Sequence, residues 1–433
     1  MTKSPTMSPP DAARALLNVL LPMAAGGAIA RRPRVMGVAQ RLDLDSRAVR
    51  EMQRLRDRYG AGPVQVLPGR GMALVLDPGD VHRVLNGSPQ PFSPASREKR
   101  GALGHFQPEG VLVSSPEERT HRRPFNEQVL QAGRPVHDHG EHMAAVVTEE
   151  VEALLGHVDV AGELTWDSFS RAWWRIVRRV VLGDSARDDE QVTDDLLRLR
   201  KDANWSYLKP RRTARTRRFL RRVREYVDRA EPGSLAEMTA TTPARPGTEP
   251  HQQVPQWLFA ADAGAWASFR ALALLSTMPG AAARARAELD RLPDLPYLRA
   301  SVLESLRLWP TTPLILRDTT EDTEWARGTL AAGSSVVIFA PFFHRDDRHV
   351  PEAHRFAPEL WSRERTDEDW PLVPFSGGPA MCPGRNVVLL LASTVLGRLL
   401  AEREYVVEGG ALDPDGPVPG SLSPFALRFR TGR

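Results

Sequence analysis

The chain has a single cysteine, Cys382, in 433 residues. A lone thiol rules out an intramolecular disulfide framework and suits a reducing, cytoplasmic compartment. It also rules out all-thiolate zinc and iron–sulfur sites, which need several ligands close together. Long apolar runs are missing as well. The stretch from Ala15 to Ala30 is apolar but holds Asn18 and Pro22, and it falls short of the ~20 apolar residues of a spanning helix. No transmembrane anchor is expected. Asp11 and Arg14 cancel immediately ahead of that stretch, which argues against a secretory signal. The net charge of +4 is too small to indicate a nucleic-acid partner. No glycine fingerprint of a dinucleotide-binding unit occurs. A hydrophobic content of 41% suffices for a sizeable core. No strong linker divides the chain, so one domain over 1–433 is expected, with 1–40 as an N-terminal helical segment packing on the body.

What is present gathers around the cysteine. Phe375-Ser-Gly-Gly-Pro-Ala-Met-Cys382-Pro-Gly-Arg385 is glycine-rich and is followed by the apolar run Val387–Ala392. Gly377 and Gly378 allow a tight turn and a close approach to a flat ligand. Pro383 stands where a first helical position is expected. Cys382 is then placed just ahead of a helix N-terminus, where free N–H groups and the dipole favour thiolate, the form that ligates metal. A haem iron needs only one axial protein ligand. The competing reading is a buried structural cysteine.

Periodicity supplies the scaffold. Residues 44–59 predict a charged helix with Val49, Met52 and Leu55 on one face. Val64–Leu67 and Ala73–Leu76 predict two strands around a turn at Pro68–Gly71, followed by a short helix capped by Asp77. Pro91–Ser115 reads as loop-rich. Helices follow at Met143–Leu155 and Trp166–Leu182, with Trp173 and Trp174 as core or interface aromatics. Lys209–Arg229 is an amphipathic helix with ten Lys or Arg against two acids, read as a solvated face. Glu231–Gln253, rich in Pro, Gly and Thr, reads as a long loop. A long helix runs from Pro255 to Met278 and ends at Pro279-Gly280. In Tyr297–Pro310, Glu304 and Arg307 share a helix face.

Phe375, Gly378, Cys382 and Gly384 resemble the cysteine-ligand loop of the haem-thiolate monooxygenases, the cytochrome P-450 family, bacterial soluble type. Ala380 stands where a basic residue that pairs with a haem propionate is usual. The resemblance implies a mainly α fold with a small β region and haem b between the long central helix and the cysteine-loop helix. It implies Cys382 as the iron ligand, Arg123 and Arg317 as propionate contacts, and Pro91–Ser115 as cover for the substrate pocket. In Phe259-Ala-Ala-Asp-Ala-Gly264, Asp262 takes the acid position and Ala263 the alcohol position of the family's catalytic pair. Ala260, Ala261 and Gly264 would keep the pocket side of that helix small, with Leu314 and Phe425 touching substrate. Glu304, Arg307 and Arg355 would form a buried network, with His344 structural.

The implied activity is oxidation of a small, largely apolar molecule with dioxygen. Its electrons would come from a ferredoxin and ferredoxin reductase, docking through charges such as Arg122 and the Arg-rich helix. Without a hydroxyl at Ala263, proton delivery falls to water or to a substrate hydroxyl. Two alternatives stay open. One is other haem-thiolate chemistry: peroxide-driven oxidation, radical coupling or rearrangement. The other is a haem-binding protein without turnover. A cysteine hydrolase is a distant third reading, since no His is placed by sequence to serve it.

Overall fold

The computed structural model describes residues 3–67, 71–364, 366 and 370–431. Apolar continuity makes the central helix, Val254–Thr277. Pro255 enters its first turn, where a missing N–H costs nothing, and the helix stops before Pro279. Every residue from Gly264 to Leu275 is buried. By length and composition, 250–277 could cross a membrane, but 78% of its apolar window lies inside the molecule, as in a core helix. It packs on three helices: Trp166–Leu182, Pro296–Leu308 and Arg385–Leu400. Helix Gly140–Ala161 covers the last of these. The packing is close enough to dictate a residue. A Cβ on Gly264 would lie 2.7 Å from Trp173 Cζ2 and 3.3 Å from Val388 Cγ1.

A second core surrounds a five-stranded sheet with the spatial order Val64–Gln65, Met72–Leu74, Ser335–Phe339, Leu314–Thr319, Phe92–Ser93. The pairing of 72–74 with 335–339 is parallel and the rest is antiparallel. Helix Leu44–Tyr59 buries Val49, Met52 and Leu55 here. Helix Pro78–Asn86 is capped by Asp77, whose Oδ1 accepts from Gly79 N at 2.8 Å. Met7, Ala12, Ala15 and Val19 of the N-terminal segment join this core. Except for Gly71, the turn expected at Pro68–Gly71 lies outside the described residues. A three-stranded sheet, Glu163–Thr165, Arg428–Thr431 and Tyr405–Glu408, closes the far end.

Several stretches depart from the sequence reading. Glu231–Gln253 is not a plain loop. It contains helix Leu235–Thr241, started by Ser234 Oγ accepting from Glu237 N at 3.1 Å and held by buried Leu235 and Ala236. Likewise 91–115 contains helix Arg97–Leu103, capped by Ser96. The basic helix, Thr213–Arg229, finds its acidic partner inside the molecule. Arg218 takes Asp195 with two bonds, 2.9 and 2.6 Å, while Arg222 pairs with Asp189 and Arg212 with Asp202. Arg122 is buried and paired with Glu109 at 2.7 Å and Glu118 at 3.2 Å, so it offers no docking charge.

Glu304 and Arg307 form a fully buried pair at 2.6 and 2.8 Å. Arg307 also donates to the carbonyls of His344, Glu352 and Arg355, each at 2.9 Å. Glu304 accepts from Ala357 N and Trp361 Nε1. The expected third member therefore contributes differently: Arg355 gives its carbonyl, and its side chain is exposed. Backbone carbonyls complete the cage because they deliver partial negative charge without another side chain to desolvate. His344, also buried, accepts from Val373 N at 2.9 Å, a structural link toward the cysteine loop. Glu304→Ala strands Arg307 in the core. It is expected to cost about 3–5 kcal/mol in chemical denaturation, and a loss below about 1 kcal/mol would show that the cage does not need the carboxylate.

Candidate functional site

The cysteine loop is held by its own backbone. Ser376 N donates to Val373 O, Met381 N to Gly378 O, and Cys382 N to Phe375 O, at 2.9–3.0 Å. Gly378 has φ +62°, and a Cβ there would fall 2.2 Å from Leu85 O. The loop thus presses on helix Pro78–Asn86, and only glycine fits at that point. Gly384 is different: it is the N-cap, with φ −86°, and a Cβ would meet only Leu130 Cδ1 at 3.8 Å. The helix starts at Arg385, so Pro383 precedes the cap instead of holding the first helical position. Cys382 is half-buried.

The polypeptide alone does not lower the thiol pKa as the sequence suggested. Burial pushes Cys382 up, against the opposing pull of the Gly384 and Arg385 N–H groups and the Arg123 and Arg385 guanidinia. A coordinated metal would reverse this, because a ligating thiol is deprotonated outright.

Around the loop stand cations without counter-charges. Arg317 is 2% exposed and donates to Ser88 Oγ at 2.9 Å and to Ser376 Oγ at 3.2 Å. Burial, then Arg119, pushes it down to about 10. Arg119 is buried with Nη1 lacking any partner, and burial, then Arg123, lowers it to about 10 as well. Lys99 Nζ reaches only the carbonyls of Pro94 and Leu316; burial, then Arg317 and Arg119, pushes it well below its ordinary value. Arg385 Nε is buried and unbonded. Among the described residues, none of the four has a carboxylate within 4.0 Å.

Arg123, expected to share this task, is already taken. It pairs with Glu127 at 2.6 Å and donates to Met381 O at 2.7 Å, fastening the loop from outside. Arg119 lies one turn earlier on the same helix, Pro116–Val129, four residues from Arg123. That spacing was the readable signal for it. Lys99 had none, because its helix was hidden in a stretch that reads as loop.

The central helix presents two faces here. Gln256, Phe259, Ala260 and Ala263 are partly covered and recur at helical spacing, so they line one stripe facing open interior. Ala261 and Gly264 lie on the adjoining face. Ala261 O accepts from Trp173 Nε1 at 2.9 Å, and Gly264 is pressed against the Trp173 ring. These two make close packing contacts, beside the open stripe. Asp262 is bound at 2.5 Å to Arg200, which is 2% exposed, stacks over Phe259 and donates to Ile29 O. Leu314 opens its strand half-buried. Phe425, also half-buried, sits in the turn Pro424–Ala426, edge-on to Trp166 at 5.2 Å.

Comparison with known proteins gives a likeness over part of the chain. The family model described as Cytochrome P450 matches residues 264–414, a span holding Glu304, Arg307 and Cys382. The fold is similar to a crystal structure of a cytochrome P450 (CYP102L1), with a TM-score of 0.72 over 89% of this chain and 94% of that one, at 20% identity. The chain thus has the cytochrome P450 fold, and its residues 264–414 match that family's model. It is 35% identical over 138 residues to human cytochrome P450 4V2, which is 31% of this chain and 26% of that protein. It is 35% identical over 113 residues to cytochrome P450 98A8 of Arabidopsis thaliana, covering 25% and 23%. The chain thus spans about a quarter of the length of the curated relatives it matches. The residues present fit a P450 haem: one half-buried thiol, and beside it several buried cations that lack the anions a haem carries as propionates.

The glycine geometry separates two neighbours in this P450 loop. Gly378→Ala is expected to destabilise the fold by more than the about 1–2 kcal/mol of left-handed backbone strain alone, because Leu85 O must also move. Gly384→Ala should stay within about 0.5 kcal/mol of the parent. Equal losses in differential scanning calorimetry would contradict this reading of the loop.

Proposed function

We propose that the whole chain, 1–433, works as one cytoplasmic haem-thiolate monooxygenase domain. It would insert one oxygen atom from O2 into a small apolar substrate, with electrons from a ferredoxin and its reductase. The observation that carries this reading is the cluster of carboxylate-free cations, buried Arg119 and Arg317 with half-buried Lys99, which reaches the cysteine loop through the bond of Arg317 to Ser376 Oγ. Bound haem would supply dioxygen chemistry of the kind a thiolate ligand favours. Cys382 Sγ would hold the iron. Arg317 and Arg119 suit the two propionates, since a guanidinium matches a carboxylate with two parallel hydrogen bonds. Lys99 adds a third charge beside them. Phe375, Gly378 and Gly384 shape the loop, while Arg123 fixes it through Met381 O. Such pairing also offsets the cost of burying these cations.

Ala260 and Ala263 leave room on the open stripe of the central helix, and Leu314 and Phe425 add apolar wall for the substrate. Asp262 Oδ2, tied to Arg200, is not free to deliver a proton. With no hydroxyl at 263, the proton travels through water or a substrate hydroxyl. Asp262 joins that path only when Arg200 releases it. The same two features also suit peroxide-driven oxidation, which needs no reductase.

Three experiments test this. Cys382→Ala should abolish the thiolate signature in the carbon monoxide difference spectrum of the reduced protein. Arg119→Leu should lower haem occupancy several-fold more than Arg123→Leu does, and the opposite order would refute the assignment of the cations. Ala263→Thr should raise the ratio of hydroxylated product to released hydrogen peroxide under reductase-driven turnover. An unchanged ratio, with full activity on added peroxide alone, would favour the peroxide-driven reading.

A further inference from the structure

A cavity of about 510 Å³ lies away from the cysteine loop. Its walls come from the N-terminal segment, helix Leu44–Tyr59, the second half of the central helix, residues 308–313 and residues 417–423. Four arginines line it; Arg50 is exposed at the rim, and three are more deeply set: Arg31, Arg270 and Arg345. Arg270 and Arg345 are 6% and 4% exposed. All three are held in place by carbonyls. Arg31 donates to Thr311 O at 2.7 Å, Arg270 to Leu422 O at 2.7 Å and Trp309 O at 3.1 Å, and Arg345 to Pro419 O at 2.7 Å and Val418 O at 2.9 Å. Among the described residues, none of them has a carboxylate within 4.0 Å.

The acids in the wall are turned elsewhere. Asp45 takes Ser421 Oγ at 2.5 Å, Asp43 takes Ser46, and Asp347 takes Gln53. Burial pushes Asp45 up, against Ser421 and the three arginines, and pushes Arg270 and Arg345 down to about 9 and 10. Ser423, 2% exposed and part of the wall, has a hydroxyl with no partner. Much of the remaining wall is apolar, with Met23, Trp266 and Leu308.

We propose that this cavity is a second binding site, taking a small organic carboxylate with an apolar body. The carboxylate accepts from Arg31, Arg270 and the Ser423 hydroxyl, and the body packs on Trp266 and Met23. A bare inorganic anion would leave most of the space unfilled, whereas the volume is in the ~300–1,000 Å³ range of small-molecule sites. An occupant would touch Thr311–Pro313 and Ser421–Ser423, the segments leading into Leu314 and Phe425. The binding claim does not depend on turnover, and its test does not use activity.

Full-length protein, with saturating imidazole present to occupy any haem iron, is titrated calorimetrically with naphthoate and with naphthamide. The acid should bind once per chain and about tenfold or more tighter than the amide, since only the acid brings the charge the guanidinia lack. That preference should collapse in both Arg270→Gln and Arg31→Gln. Arg31 is only half-buried, so its variant keeps the test sound if Arg270→Gln does not fold. Equal affinities, no heat from either compound at millimolar concentration, or a preference surviving in Arg31→Gln would each overturn the proposal.

Discussion

Buried charge is the constraint around which this molecule is arranged. An unpaired ion in a protein interior costs several kcal/mol, and the chain meets that cost in three ways. Arg307 is matched within the fold, by Glu304 and a ring of carbonyls, and so welds the helix Pro296–Leu308 to the segment after His344. At the surface, Arg218 and Arg222 of helix Thr213–Arg229 match the more deeply set carboxylates of Asp195 and Asp189 on the neighbouring helix and its cap. The third group, Arg119, Arg317 and Lys99 at the cysteine loop, has no internal match. The first two groups fasten the scaffold. The third makes sense only with an anion from outside the chain, which is what a P450 haem brings.

The central helix performs two tasks by dividing its faces. One face is tightened onto Trp173 through Ala261 O and the missing side chain of Gly264. The other carries Ala260 and Ala263 toward open space. Small residues therefore serve opposite ends on the two sides, close packing on one and room on the other. Asp262 falls between them and is claimed by Arg200, which also grips Ile29 of the N-terminal segment. The acid of the expected relay is thus coupled mechanically to a distant stretch of chain.

Local chemistry made much of this readable. The glycines, proline and lone cysteine of 375–385 announced the loop, and the helix bounds at 44–59 and 166–182 followed from periodicity and turn residues. Helix Leu235–Thr241 was hidden because Pro, Gly and Thr dominate the window around it, and its stability comes from burial of Leu235 and Ala236 under other elements. Arg355 looked like a third charge because its position fits. Only the packed chain turns its guanidinium outward and its carbonyl inward. For a similar reason the ring packed against Gly264 was not legible, since helical period gives neighbouring faces but not which neighbour each one meets.

By itself, then, the sequence determined the elements and the chemistry available. It set a mainly helical chain, one thiolate ahead of a core helix, an acid without its alcohol, and a Glu-Arg pair on one face. Those depend on residue type and on spacing of a few positions, which local backbone physics reads directly. The tertiary structure decided which charges are matched and which are left open. Arg123 is taken by Glu127, while Arg119 is left bare. The thiol rises through burial, and three arginines face a cavity with no carboxylate close enough to pair. Compensation of charge depends on distances between residues up to hundreds of positions apart, and only the folded chain fixes those.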